Sequence, residues 1–140
     1  MQHYVLLFVL NPATQQLVTL TKQSGPAFLK GKLTVPGGKR EEVDGKLEEV
    51  AVAATRELRE ETGLSVDQSA WLRIGGKKGE WGSLEAVLAL SNEVHTARTM
   101  ELEAVSTHTL DELEGLPKES LAPDLLDYAA LLRRLCPTSA

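Results

Sequence analysis

Arg56-Glu57-Leu58-Arg59-Glu60-Glu61-Thr62-Gly63-Leu64 sets three carboxylates on one turn of an expected helix and ends that helix at a glycine. Glu57, Glu60 and Glu61 stand at i, i+3 and i+4, so their side chains project within roughly one 100° arc. Like charges so placed repel and weaken a bare helix. A hard divalent cation wants several oxygen ligands and keeps some waters, and that need explains the spacing. The plainer alternative is a solvated helix face whose glutamates are balanced by Arg56 and Arg59.

Working outward, Val35-Pro36-Gly37-Gly38-Lys39 lies upstream, and Glu48 sits eight residues before Arg56. Together these residues resemble the NUDIX box, G-x5-E-x7-R-E-U-x-E-E-x-G-U with U a bulky aliphatic residue. The second half matches from Glu48 through Leu64. The first half departs, because nine residues separate Gly38 from Glu48 where the family pattern has five. Loops accept such insertions at modest entropic cost, so the helix register is expected to survive while the path after Gly38 changes. A helix starting one turn late would let Glu49 replace Glu48 as the anchor of Arg56.

The resemblance implies chemistry residue by residue. NUDIX enzymes hydrolyse a diphosphate linkage in nucleoside diphosphate-linked substrates with Mg²⁺ or Mn²⁺. By that likeness Glu57, Glu60 and Glu61 are the expected metal ligands, completed by a backbone carbonyl of Gly37 or Gly38. Arg56 is expected to orient them by pairing with Glu48 and with Glu57 or Glu60. For the general base, family members use a box glutamate or one from a later loop. Glu85, Glu101 and Glu103 are the later choices here, and Glu103 joins the expected catalytic set. Lys39 is placed to touch a phosphate, with Lys30 and Lys32 as further lysines of that loop.

The approach to the box, Leu29 through Lys39, is similar to that of NUDIX enzymes that cleanse nucleoside triphosphate pools of oxidised purines. In that group a residue near the start of the closing helix reads the base, and Asp124 has that placement. A helix N-terminal aspartate stabilised by the dipole is the plainer reading. Phe28, Tyr4 and Trp81 are able to stack on a base, or to serve as ordinary packing. The leading expectation is a hydrolase releasing monophosphate and pyrophosphate from an ordinary or oxidised nucleoside triphosphate. An ADP-ribose or nucleotide-sugar diphosphatase stands second, and a non-catalytic nucleotide-binding module is the alternative from another class. Signals of NADH-cleaving and coenzyme A-cleaving relatives are missing, and Cys136 has no equivalence to the catalytic cysteine of isopentenyl diphosphate isomerases.

Composition sets the outer bounds. The 140 residues suit one domain, 1–140, with a core of its own. A single cysteine, Cys136, rules out a disulfide within one chain and points to a reducing cytoplasm. The apolar start, Tyr4 to Leu10, reads as a buried strand rather than a signal peptide, and no apolar run approaches membrane-spanning length. A net charge of −5 argues against an extended nucleic-acid surface. The expected partner is a small nucleotide, and the resemblance allows a homodimer.

Hydrophobic periodicity predicts strands at Tyr4–Leu10 and Gln16–Thr21, paired as a hairpin, and a short strand at Leu33–Val35 stopped by Pro36-Gly37-Gly38. The box helix is expected from about Leu47 to Thr62 with an apolar stripe of Leu47, Val50, Ala51, Ala54 and Leu58. Strands follow at Trp71–Ile74 and Leu84–Leu90 around a turn at Gly75-Gly76-Lys77-Lys78-Gly79, and another at Leu102–Thr107. Thr109-Leu110-Asp111-Glu112 has capping-box spacing, with Pro117 ending that helix, and Ala122–Leu135 closes the chain as an amphipathic helix. This order predicts an α/β protein, a mixed β-sheet between helices, and the NUDIX fold is such an α/β/α sandwich.

Overall fold

The apolar start of the chain becomes β1 (Gln2–Leu10), the strand around which the sheet is organised. The computed structural model describes residues 1–137, and 138–140, the tail of the expected 1–140 domain, lie outside them. β1 runs parallel to β8 (Gly82–Leu90) along its whole length, from Gln2↔Gly82 to Leu10↔Leu90. Its other edge is shared. β4 (Gly37–Lys39) pairs antiparallel with Tyr4–Leu6, while β2 (Gln16–Thr21) meets β1 only at Leu10↔Leu17. The expected hairpin therefore has one paired position, because β2 diverges to run antiparallel along β9 (Ala104–Thr109) and to receive β3 (Leu33–Thr34). β7 (Leu72–Gly79) lies antiparallel outside β8 and completes a mixed seven-stranded sheet. β5 (Glu42–Val43) and β6 (Lys46–Leu47) form a separate small hairpin.

Period-two alternation in β1 feeds both faces of this sheet. Val5, Leu7 and Val9 pack with Ala53, Ala54 and Leu58 of α1 (Val50–Thr62). Phe8 and Leu10 pack on the opposite face with α2 (Leu110–Glu114) and α3 (Leu125–Leu135), through Leu110, Leu113, Leu125, Ala129 and Leu132. The result is the expected α/β/α sandwich. Each fully buried leucine contributes about 1.5–3 kcal/mol by leaving water, and Leu58→Ala would cost about 2–5 kcal/mol.

Several expected boundaries move, each for a physical reason. α1 begins at Val50, since Leu47 is used in the β5–β6 hairpin, and Ala53 rather than Ala51 is buried against β1. It ends where expected, at left-handed Gly63 (φ 78°), whose N–H donates to the Arg59 carbonyl at 3.0 Å. Gly37-Gly38 continues as strand β4 instead of stopping the chain. The stretch Gly75–Gly79 is strand rather than turn, and the chain reverses one step later at Glu80-Trp81. Here the missing side chain serves packing: a Cβ on Gly75 would lie 3.0 Å from the Tyr128 hydroxyl. The Thr109 capping box is present, with Thr109 Oγ1 accepting from Glu112 N at 3.1 Å and Glu112 Oε1 accepting from Thr109 N at 2.8 Å. The last strand and the closing helix start two and three residues later than expected, at Ala104 and Leu125.

Candidate active site

β4 packs between β1 and α1 with its two glycines at the closest approaches. A Cβ on Gly38 would sit 2.2 Å from the carboxyl carbon of Glu57, and one on Gly37 would sit 2.4 Å from the Val5 carbonyl oxygen. The Gly37 N–H donates to Glu61 Oε1 at 2.9 Å. Glu61 is only 9 % exposed. Burial pushes its carboxyl up to about 7, opposed by the Gly37 N–H and reinforced by the charges of Glu57 and Glu101. Glu57 is likewise raised, chiefly by burial, with Arg56 pulling it back and Glu60 and Glu101 adding to the rise.

Arg56 occupies the other flank of the helix. Its Nε and Nη2 donate to the two oxygens of Glu48 at 2.9 and 2.7 Å, a bidentate pair. Nη1 reaches Glu57 Oε1 at 3.0 Å and Glu60 Oε2 at 3.3 Å, and Nη2 also donates to the Lys39 carbonyl at 3.2 Å. The Arg56 bond holds Glu48 below the usual carboxylate range despite burial. The longer loop explains how this register survives. Asp44 and Gly45 take positive φ (53° and 77°) and turn β5 into β6. Glu41 and Glu48 then close the base of the hairpin, with Glu48 N donating to the Glu41 carbonyl at 2.7 Å and Glu41 N to Glu48 Oε1 at 3.0 Å. The extra residues are thus absorbed before Glu48. Glu49 caps α1 through its backbone and makes no side-chain capping bond.

A metal at this site would need hard oxygen donors, and Glu57 and Glu61 supply them in a buried setting where their own charges repel. Among the described residues, no three His, Cys, Asp or Glu side chains converge into one metal-sized cluster. Glu60, its side chain 48 % exposed, is paired with Arg56 at 3.3 Å. Glu57 and Glu61 offer the hard oxygen donors a divalent ion takes, while Glu60 is paired with Arg56.

Comparison with known proteins gives the family and the fold. A family model described as the NUDIX domain matches residues 2–132. The chain belongs to the NUDIX family. Membership makes it a NUDIX hydrolase in class. None of the curated proteins matches it. Among solved structures it is similar to a MutT from work on Aliivibrio salmonicida and Vibrio cholerae, at 19 % identity and TM-score 0.64, covering 92 % of this chain and 96 % of that one. The NUDIX domain of Shewanella oneidensis NrtR, complexed with ADP ribose, is 16 % identical with TM-score 0.73, covering 95 % and 86 %. A NUDIX-family hydrolase from Clostridium perfringens is 16 % identical with TM-score 0.67, covering 96 % and 97 %. At these identities the likeness is one of fold.

The later glutamates of this NUDIX chain divide by environment. Glu101 is the one whose charge bears on Glu57 and Glu61. Glu103 faces the β2–β3 loop instead, accepting from Ser24 Oγ at 2.7 Å and from Gln23 N. Burial alone would raise its carboxyl, but Ser24, Gln23 and Lys22 together bring it below the usual range. Glu85 is paired with Arg73 at 2.5 Å on the β7–β8 ribbon.

The expected substrate residues fall into separate places. A cavity of about 420 Å³ has Tyr4, Leu84 and Trp81 among its walls and Gly37, Gly38 and Glu61 at its edge, with Lys22, Pro26 and Leu29 from the β2–β3 loop. Lys39 is not among its lining residues and instead lines a cleft of about 550 Å³ with Arg40, Arg56, Glu57 and Glu60. Phe28 and Asp124 share a third depression, of about 580 Å³, with Lys32 and Lys118. Asp124 takes a left-handed backbone before α3 and pairs with Lys77, the register partner of Leu84. Lys30 is exposed on its loop, and Lys32 Nζ donates to the Glu119 carbonyl. Lys22, Pro26, Leu29 and Leu84 carry no local sequence signal, since only the folded loop brings them together. No helix among the described residues is long and apolar enough to cross a membrane.

Proposed function

We propose that this protein, taken as one NUDIX domain over residues 1–140, is a Mg²⁺- or Mn²⁺-dependent hydrolase. It cleaves a diphosphate linkage of a nucleoside triphosphate, ordinary or oxidised, to monophosphate and pyrophosphate, acting in the cytoplasm as a monomer or homodimer. One observation carries the reading: a single cavity is lined both by the aromatic rings of Tyr4 and Trp81 and by Gly37, Gly38 and Glu61 of the box. A base stacked on those rings directs its phosphates toward the box carboxylates. Glu57, Glu60 and Glu61, with a carbonyl of Gly37 or Gly38, would hold the ion, which neutralises phosphate charge and acidifies water. Arg56, anchored on Glu48, keeps Glu57 and Glu60 in register. Outside the box we take Glu101, whose charge acts on Glu57 and Glu61, as the candidate base, and Glu103 is spent on its loop.

A second reading, hydrolysis of ADP-ribose or a nucleotide sugar, is favoured by the cleft beyond Glu57. That space suits the second half of a dinucleotide-like substrate, and a neighbour of the same fold is complexed with ADP ribose. The test is chromatography of products after incubation with Mg²⁺ and a panel of ordinary and oxidised nucleoside triphosphates, ADP-ribose, NADH and diadenosine polyphosphates. Monophosphate plus pyrophosphate supports the first reading, and AMP plus ribose 5-phosphate supports the second. Stabilisation by Mg²⁺ and nucleotide without any product would instead mark a binding module.

A further inference from the structure

Glu103 is a buried carboxylate outside the box, its side chain 11 % exposed. Its oxygens take the Ser24 hydroxyl at 2.7 Å and the Gln23 N–H, and Lys22 Nζ lies 3.5 Å away. These three partners are consecutive residues at the mouth of the loop that supplies Lys22, Pro26 and Leu29 to the Trp81 cavity. The segment leading to Glu103 is itself docked on the C-terminal end of α1. Arg98 N donates to the Thr62 carbonyl at 3.0 Å and Met100 N to the Glu61 carbonyl at 3.3 Å, while Val105 N donates to Thr99 Oγ1 at 2.9 Å. One side chain thus joins the wall of the cavity to the backbone that carries Glu61 and Glu101.

We propose that Glu103 is a positioning residue, a clamp that fixes the 22–32 loop against the 98–103 segment and so sets the wall of the nucleoside cavity. The inference rests on reading that cavity as the nucleoside site. It also separates Glu103 from the chemistry, because both of its oxygens are directed at loop donors rather than at Glu57 or Glu61. A loosened clamp should then weaken substrate binding while leaving the bond-breaking step intact.

The experiment compares Glu103→Gln, Ser24→Ala and the unaltered full chain by amide hydrogen exchange and by steady-state kinetics. Gln keeps the volume but loses the charge that holds Lys22. Ser24 is exposed, so its truncation removes one clamp bond without endangering the fold. In Glu103→Gln, amides of residues 22–32 should exchange about tenfold faster while those of α1 do not change, the loss expected of a charge-assisted hydrogen bond. With whichever panel nucleotide is turned over, KM should rise about tenfold and kcat stay within about threefold, and Ser24→Ala should shift both readouts less in the same direction. Unchanged loop exchange in both variants would overturn the clamp. So would a kcat loss of about a hundredfold at constant KM, which would make Glu103 a catalytic residue. If the unaltered protein turns over nothing, the proposed function fails and the exchange result alone decides the clamp.

Discussion

Glu48 and Glu61, at the two ends of the box, are both largely buried glutamates close to the same helix, yet their surroundings act in opposite directions. Glu48 receives a bidentate guanidinium and a backbone N–H, so its charge is matched and its proton affinity is lowered. Glu61 is buried with one N–H, from Gly37, and feels Glu57 and Glu101 against Lys22, so its charge is poorly matched and its proton affinity is raised. The residue type is the same and the assignments differ. A matched carboxylate is a fixed strut. An unmatched one, held in place by backbone, has coordination capacity left for a cation; Glu61 has this property, and Glu57, raised by burial but held by one Arg56 bond, stands between the two cases.

The sharpest way to break this comparison is to neutralise the unmatched end. Glu61→Gln and Glu57→Gln should each lower kcat by about a hundredfold or more, since they delete expected ligands of the activating ion. Product formation at saturating Mg²⁺ measures this, and a variant retaining most of the rate would move the chemistry away from that pair. At the matched end the loss should be smaller. Glu48→Gln leaves Arg56 with half of its fork unpaired, and a positioning partner of this kind is worth about 10–100-fold in activity. The fold should lose about 1–2 kcal/mol. Arg56→Lys should fall in the same range, because a single ammonium cannot make the two parallel bonds to Glu48. If Glu48→Gln were as damaging as Glu61→Gln, the distinction between strut and ligand would collapse.

The two ends also predict opposite pH dependences. The Glu61 value of about 7 lies above the ordinary 4.5 expected of the unfolded chain. Between those values the folded protein binds the proton more tightly, so this contribution to stability is full below about 4.5 and is lost as pH rises to about 7. Glu48 is lowered, so its contribution is present above the ordinary value and is lost as pH falls through its folded one. Metal-free protein should therefore be less stable at pH 7.5 than at pH 5.5, with a Glu61 share of at most about 2 kcal/mol. Urea unfolding at the two pH values checks it. Glu61→Gln should flatten the difference, and Mg²⁺ should restore stability at pH 7.5 by binding the ionised site. A pH-independent midpoint in the unaltered protein would mean that Glu61 is not strained when charged.

What the sequence disclosed, and what it hid, follows the range of the interactions. The carboxylate arc and the stop at Gly63 are local to one helix, so spacing alone reveals them. The closeness of Gly38 to Glu57 and the Arg56–Glu48 pair join residues that are not neighbours on one helix, and the box pattern anticipates them only as family expectations. The ribbon at Gly75–Gly79 reads as a turn in the sequence because glycine is a strong turn signal. Here glycine makes room for Tyr128, which lies more than fifty residues away. The cavity was the least legible part: Tyr4 and Trp81 were visible as aromatics, but Lys22, Pro26 and Leu29 reach it only because the loop folds back. Phe28, a neighbour of Leu29 in sequence, points into a different depression.

The smallest expected effect tests how far the strut depends on its hairpin. Asp44-Gly45 is a sequence signature of a two-residue hairpin turn, and this turn lets four additional residues leave Glu48 where Arg56 needs it. A Cβ at Gly45 would touch nothing within 4 Å, so Gly45→Ala tests the left-handed backbone (φ 77°) without a clash. The strain should cost about 1 kcal/mol, visible as a small drop in the unfolding midpoint. Activity should stay within about threefold, because the bidentate Arg56 bond can still hold Glu48 when the turn is weakened. A loss as large as that of Glu48→Gln would show that the hairpin presets Glu48 before Arg56 grips it. The matched end would then depend on the hairpin and the guanidinium together, while the unmatched end would still rest on the backbone of β4.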